Sequence, residues 1–399
     1  MEKPVRICMV SPLYHPELGG VGRQAVALAE YLYNLGVKVS VMCRDIKSIP
    51  EWNPALGLQV TKIKTFGSTR HDLEAKSIRN VLISLSFSFN LMRMLIRYRN
   101  NYDIVHFHGA SLPLIFNVLP LKFIKKKIIA KVAGAKMDRE AGSFKGKYIC
   151  IGDIFIRILK NVDIFVAVSS EIRDDLIKDG FNTGKIFKTT NFILPDIFYP
   201  ERNAGKRREI KKKLNVDNNK TIITFSGRIV PLKRIDILLK AIHEVLKTRN
   251  DIQLIILGEG ELREKLQRMT AELGIAEYVF FKGFISNILD YLQITDIFVF
   301  TSDKEGMPNS LLEAMACRLP VIATEIGGVV DLIENRENGL LIKPGDVTGL
   351  KDAILNLLEN IQLSEKIAEN AFLTIRDRYY IDKVANKYIL LYKKVFGEL

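Results

Sequence analysis

Three times along this chain an aspartate opens an unbroken apolar run: Tyr102-Asp-Ile-Val-His106, Val162-Asp-Ile-Phe-Val166 and Thr295-Asp-Ile-Phe-Val299. Apolar side chains at successive rather than alternate positions describe a strand covered on both faces, as strands in a parallel sheet are. The aspartate reads as a turn residue that ends one helix before the chain enters the sheet. Since the pattern stands in both halves, one kind of α/β unit is built twice. The start of the chain agrees. It runs from the strand Val5-Arg-Ile-Cys-Met-Val-Ser11 through an amphipathic helix over 21–33, closed by Gly36, to the strand Val37-Lys-Val-Ser-Val-Met-Cys43. That order implies parallel strands joined by right-handed crossovers. At 399 residues and 48% hydrophobic, the chain can bury two cores.

Behind the third repeat lies the stretch richest in chemistry, Thr301-Ser-Asp-Lys-Glu-Gly-Met-Pro-Asn-Ser-Leu-Leu-Glu-Ala-Met-Ala316. It reads as strand, loop and helix, with Gly306 and Pro308 breaking the strand and Ser310 opening the helix. The first amides of a helix lack internal partners and sit at the positive end of its dipole, so this loop is a ready phosphate site. Glu305 in the loop can accept hydrogen bonds from sugar hydroxyls, and Glu313 faces back from the first turn. Glu313 also has a purely structural reading, because Ser310 and Glu313 have the spacing of a capping box. Upstream, Thr221-Ile-Ile-Thr-Phe-Ser-Gly-Arg228 followed by Lys233 places two cations where a diphosphate would lie. One offers a planar fork and the other a point charge. Solvated surface cations are the alternative.

Glu305 and Glu313, with Ala314-Met-Ala-Cys317 and Pro320-Val-Ile-Ala-Thr-Glu-Ile-Gly-Gly328 after them, resemble the glutamate motif of retaining glycosyltransferases of family 4. The resemblance is dense over 225–346 and looser before. It implies an α/β chain of GT-B architecture: two facing Rossmann-like domains with parallel sheets, and a C-terminal helix that crosses back to the first domain. Residues 1–196 with 380–399 would form the acceptor-binding domain and 197–379 the nucleotide-sugar domain, with 196–220 as linker. The resemblance further implies hexosyl transfer with retention from a nucleotide-diphosphate sugar, with catalytic roles for Glu305, His108, Arg228 and Lys233. Donor contacts would come from Arg228, Lys233, Glu305, Gly306, Met307, Asn309, Ser310, Leu311, Glu313 and Phe284. Gly19 and Gly20 would form an acceptor or phosphate loop, unless they are a plain turn. No metal and no cofactor beyond the co-substrate are expected. The motif departs from the family at Arg318, where glycine is usual, and at Asn191-Phe192, where Asn-Gly is usual.

In His106-Phe-His108 strand alternation sends both rings to one face, but a metal site would need a third ligand and none is near in sequence. The mouth of a parallel sheet is where open α/β folds bind ligands. The resemblance assigns a donor- and acceptor-facing role to His108 first and His106 second; a satisfied core histidine is the rival. Residues 136–147 read as an acceptor loop. Asn338-Gly-Leu-Leu-Ile-Lys-Pro-Gly-Asp346 reads as a hairpin-like strand and turn.

Net charge is +14, with 59 basic against 45 acidic residues. The excess is concentrated over 62–147, where Lys122, Lys125, Lys126, Lys127 and Lys131 are taken as part of a positive surface. Such a surface suits a phosphorylated substrate or an anionic leaflet. No stacking platform or zinc spacing accompanies it, so nucleic acid is not expected. Residues 75–98, and 112–124 ahead of Lys125-Lys-Lys127, combine apolar and basic side chains as a peripheral membrane enzyme would. For 75–98 a helix covering the sheet, with a solvated basic face, is the alternative. Cys8, Cys43, Cys150 and Cys317 form no C-x-x-C pair, which fits a reducing cytosol. Met1-Glu-Lys-Pro-Val-Arg6 shows no apolar signal segment, and no run approaches the ~20 apolar residues of a spanning helix. The expectation is a cytoplasmic enzyme, peripheral on the inner face of the cell membrane, with a glycan or lipid-linked acceptor. A GT-B nucleotide-sugar epimerase is the alternative. An NAD-dependent dehydrogenase is a second, resting on Gly20-Val-Gly-Arg-Gln-Ala25, whose first glycine stands nine positions past Ser11 rather than at the strand end.

Overall fold

Strands that are apolar on both faces need cover on both faces, and the chain supplies it twice. The computed structural model describes residues 4–12, 20–45, 57–66, 78–133, 149–201 and 203–397. It divides into one unit of Met1–Asn191 with Ile381–Leu399 and a second of Phe192–Tyr380. In the first unit the strands are β1 (Arg6–Ser11), β2 (Lys38–Arg44), β3 (Gln59–Ile63), β4 (Ile104–His108), β5 (Lys127–Val132), β6 (Ile164–Ala167) and β7 (Ile186–Lys188). They form one parallel sheet in the order β3-β2-β1-β4-β5-β6-β7. The second unit holds β8 (Thr221–Ser226), β9 (Ile252–Leu257), β10 (Val279–Gly283), β11 (Ile297–Phe300), β12 (Val321–Thr324) and β13 (Leu340–Ile342). Their order is β10-β9-β8-β11-β12-β13, again parallel. Each sheet grows one way and then the other, switching between β1 and β4 and between β8 and β11. Open α/β sheets bind ligands outside the carboxyl ends of the strands at such a switch point.

The repeated aspartate does more than end a helix. Asp103, Asp163 and Asp296 each accept the backbone N–H at the start of the neighbouring strand, from Arg6 at 3.1 Å, Ile128 at 2.7 Å and Ile222 at 2.7 Å. Each also donates its own N–H to the carbonyl of that same residue. A cation completes each carboxylate: Arg6 on Asp103, Lys122 on Asp163 and Arg207 on Asp296. The Arg6 guanidinium holds the Asp103 carboxyl below its ordinary range. The clamp satisfies strand-entry amides that burial would otherwise leave unpaired.

Arg207 sits where the sequence suggested only linker. Ala204–Lys213 is a helix, capped by the Asn203 side chain on the N–H groups of Gly205 and Lys206. Its basic run is held by specific acceptors: Arg207 reaches Asp296 at 2.6 Å, Lys213 reaches Asp290 at 2.8 Å, and buried Lys211 donates to the Lys220 carbonyl at 3.1 Å. Charge density therefore marked a docked helix here. The expected hairpin at 338–346 is also different: β13 adds to the sheet edge parallel to β12. In the first unit Ile78–Arg97 is one helix that covers the sheet with Ile83, Phe87, Leu91 and Leu95. The C-terminal helix Ile381–Phe396 belongs to this unit, burying Tyr388, Leu391 and Tyr392.

Removing the second-unit clamp by Asp296→Ala leaves the Ile222 N–H unpaired and is expected to cost about 2 kcal/mol. Urea denaturation should show a lower midpoint with an unchanged slope, and Asp296→Asn should recover part of the loss.

Candidate active site

In the second unit, the chain leaves β8 through Gly227 and Arg228 and makes a single 3-10 turn at Pro231–Lys233. Arg234 then takes the left-handed conformation, with φ 48°, before the helix Ile235–Leu246. The Arg234 guanidinium spans Asp236 at 3.1 Å and Asp303 at 3.2 Å. The loop after β11 is tied to the same turn: Thr301 Oγ1 donates to the Lys233 carbonyl at 2.8 Å, and the Asp303 N–H donates to the Leu232 carbonyl at 2.9 Å. These bonds bring Lys233 and Glu305 together, so that Nζ and Oε1 form an ion pair. The lysine ammonium also lies 5.1 Å from the centroid of the Phe300 ring. Sequence reasoning treated Lys233 and Glu305 as separate ligands, one for diphosphate and one for sugar; the fold makes them a pair. Arg228, by contrast, is exposed.

Glycines let the loops close. A Cβ on Gly258, at the end of β9, would lie 1.9 Å from the Gly227 carbonyl oxygen. A Cβ on Gly328 would lie 1.5 Å from the carbonyl oxygen of Gly306. No heavy atom fits at either distance, so both positions require hydrogen. Gly258 and Gly328 carry little information alone in the sequence, and their role emerges only when the neighbouring loops are in place.

The helix beside this loop runs Asn309–Ala316, with Pro308 as its N-cap and no side-chain capping bond. Ser310 is therefore not the N-cap that the alternative capping-box reading of Glu313 requires. Pro308, at φ −76° and ψ 115°, already gives the extended backbone that an N-cap needs, and Ser310 falls one residue inside the helix. The first intrahelical bond runs from the Leu312 N–H to the Pro308 carbonyl at 3.3 Å, ahead of which come the amides of Asn309, Ser310 and Leu311. Met307, Leu311 and Glu313 are buried, Asn309 and Ser310 are half-buried, and Phe284 is half exposed. After the helix Arg318 adopts φ 58° where glycine would be unstrained, and it pairs with Glu369 at 2.5 Å. The tight turn forms despite the arginine.

In the first unit, His106 and His108 do share a face, with ring centroids 4.3 Å apart at the carboxyl end of β4. His106 Nδ1 and the Tyr392 hydroxyl are 2.8 Å apart. Burial pushes the His106 imidazole down to about 3 and that of His108 well below its ordinary value, so both rings are neutral at pH 7. Lys131, counted with the surface charges from sequence, is buried on β5 in register with His108. Burial pushes its ammonium down to about 7. A lysine inside the apolar strand Lys127-Ile-Ile-Ala-Lys-Val132 was the available signal. Gly20 is the first residue of the helix Gly20–Asn34, and Gly22 is buried within it. A dinucleotide fingerprint would need those glycines in a turn at the strand end, so that reading loses its geometry. Gly19 and the acceptor loop at 136–147 lie outside the described residues. Among the described residues no three His, Cys, Asp or Glu side chains gather as a metal site would require.

The family model "Glycosyl transferases group 1" matches residues 206–374, and "Glycosyltransferase Family 4" matches residues 18–193. The chain is 24% identical over 305 residues to N-acetyl-alpha-D-glucosaminyl L-malate synthase of Bacillus anthracis, covering 75% of this chain and 77% of that one. It is 24% identical to 2-deoxystreptamine N-acetyl-D-glucosaminyltransferase of Niallia circulans, covering 94% and 97%. Among solved structures, sucrose-phosphate synthase of Thermosynechococcus elongatus superposes with a TM-score of 0.82 at 18% identity, covering 99% and 100%. Anabaena HepE in complex with UDP and glucose superposes with a TM-score of 0.77 at 17% identity, covering 97% and 99%. Two parallel-sheet units and these matches define a glycosyltransferase of GT-B fold. The chain belongs to glycosyltransferase family 4.

Gly328→Ala is expected to push the Gly306 loop away from its place and to destabilise the protein by about 1–3 kcal/mol. A thermal melt checks the stability, and a matched Gly345→Ala, where a Cβ would meet nothing within 4 Å, separates packing from backbone strain.

Proposed function

We propose that the protein transfers a hexose, with retention, from a nucleotide-diphosphate sugar bound by the second unit to a glycan or lipid-linked acceptor bound by the first. The observation that carries this reading is the placement of Arg228, the Lys233–Glu305 pair and the first turn of Asn309–Ala316 beyond the strands of the β8–β11 switch point. Arg228, Lys233 and the first-turn amides stabilise the charge that builds on the departing diphosphate. Glu305 orients the sugar through its hydroxyls while keeping Lys233 in place, and Glu313 holds the ribose. The bond from the anomeric carbon to the phosphate oxygen breaks as the acceptor oxygen bonds the same face. The acceptor proton passes to a phosphate oxygen. No side-chain nucleophile and no metal are assigned a part. Support for a nucleotide-sugar donor comes from the superposition with HepE, whose structure holds UDP and glucose.

Arg228→Ala and Glu305→Ala should each lower transfer roughly 100- to 1,000-fold with the fold intact. A thermal-shift screen of UDP-, GDP- and ADP-sugars identifies the donor, and proton NMR of the product reads the anomeric configuration. Near-normal turnover in either variant overturns the site, and an inverted product overturns retention.

Attachment to an anionic membrane surface belongs to the same proposal. Among the described residues no helix is long and apolar enough to cross a membrane. However, Leu112–Phe123 exposes Phe116, Leu119 and Phe123, the last 90% exposed. The helix packed against it exposes Val81, Leu82, Leu85 and Phe89. Lys125 and Lys127 follow directly. The protein should co-sediment with phosphatidylglycerol vesicles, less so as salt is raised, and Phe123→Asp should weaken that binding. Equal binding to neutral vesicles would refute the attachment.

A further inference from the structure

Lys131, His106 and His108 form a buried basic cluster for which the first unit provides no counter-charge among its described residues. Lys131 and His108 are each 2% exposed, and His106 is fully buried. Among the described residues neither ring nitrogen of His108 has a hydrogen-bond partner, nor does Nε2 of His106. The Tyr388 hydroxyl, whose ring lies against that of His106, is likewise without one among them. No acid among the described residues acts on the Lys131 ammonium, where burial alone operates, and only Lys131 and His106 act on His108. Unsatisfied polar groups at this depth cost about 1–3 kcal/mol each, and an unpaired ammonium costs more. Four such atoms beside a lysine set into an apolar strand point to a polar ligand.

The location says where the ligand enters. His108 is the last residue of β4 and Lys131 stands next to the end of β5, in register with it. The pair thus adjoins the carboxyl end of the β1–β4 switch point, the position that in the second unit carries Arg228 and Glu305. Directly beyond His108, a Cβ on Gly109 would meet nothing within 4 Å among the described residues. Burial leaves Lys131 cationic below about 7, and a neutral imidazole can present an N–H beside it, so the complementary ligand is an anion.

We propose that Lys131 and His108 form an anion-binding subsite of the first unit that takes a carboxylate or phosphate group carried by the acceptor. Lys131 supplies the charge and the His108 ring supplies an N–H, while Tyr392 fixes His106 behind them. The assignment to an acceptor rests on the reading that the first unit holds the acceptor; the anion subsite itself does not.

Isothermal titration of full-length protein with inorganic phosphate and, separately, with malonate at pH 6.5 tests the proposal. Arg228→Ala serves as the background, which weakens phosphate uptake in the second unit. Saturable uptake of at least one anion by that protein, weakened tenfold or more by adding Lys131→Met, is the expected result; phosphate and malonate distinguish the two ligand chemistries. Lys131→Met replaces an unpaired charge with an apolar side chain of similar length, and Lys131→Gln is read in its place if the methionine variant does not fold. No uptake of either anion, or equal uptake with and without Lys131, overturns the subsite. A parallel titration of wild type and of Lys131→Met with UDP, GDP and ADP tests the donor reading separately. Wild type that binds none of the three would undo the proposed function while leaving the anion result standing.

Discussion

Burying a parallel sheet on both faces creates one recurring problem, the backbone N–H at the entrance of each central strand, and this chain answers it with the same residue each time. Asp103, Asp163 and Asp296 accept those amides from Arg6, Ile128 and Ile222, and each carries its own cation. The bonds join β4 to β1, β6 to β5 and β11 to β8. Two of the three therefore lock the strands that border a switch point, so the residues at their far ends inherit a fixed register. In the proposed reaction, positioning therefore begins at the opposite end of the sheet from the chemistry.

At the carboxyl end of β8 and β11 the dominant fact is that a cation and a carboxylate meet. Lys233 pairs with Glu305 because the Thr301 hydroxyl and the Asp303 amide hold the two loops together through the 3-10 turn. In the proposed reaction this neutralises Lys233 before a donor arrives, and leaves the exposed Arg228 as the cation met first by the diphosphate. Phosphate entry then competes with Glu305 for the ammonium, and a sugar hydroxyl takes up the carboxylate as it is released. The glycines serve the same closeness, since Gly306 and Gly328 approach within a distance that excludes any side chain.

The first unit concentrates its unusual groups at the matching position, but with opposite solvation. There the basic side chains are buried rather than exposed: desolvation keeps both imidazoles neutral and pushes the Lys131 ammonium down to about 7. The C-terminal helix Ile381–Phe396 is responsible, because Tyr388 and Tyr392 lie against the His106 ring and close that face of β4. A distant segment of chain thus sets the dielectric around residues more than two hundred positions earlier.

By itself the sequence determined the doubly wound architecture, because apolar runs such as Asp296-Ile-Phe-Val-Phe300 have no stable place except between two layers of helix. It also determined that Arg228, Lys233, Glu305 and the helix after Pro308 would fall beyond strand ends, since Gly227 and Pro231 interrupt the chain after one strand and Gly306 and Pro308 interrupt it after the other. Tertiary structure alone decided which groups pair. The Lys233–Glu305 contact joins residues 72 positions apart, the basic run from Lys206 became a docked helix once Asp296 and Asp290 lay beside it, and Lys131 became buried because β5 lies inside the sheet. Local preference is written in neighbouring residues, whereas burial and partnership depend on which distant surface arrives, and a linear pattern carries no record of that distance.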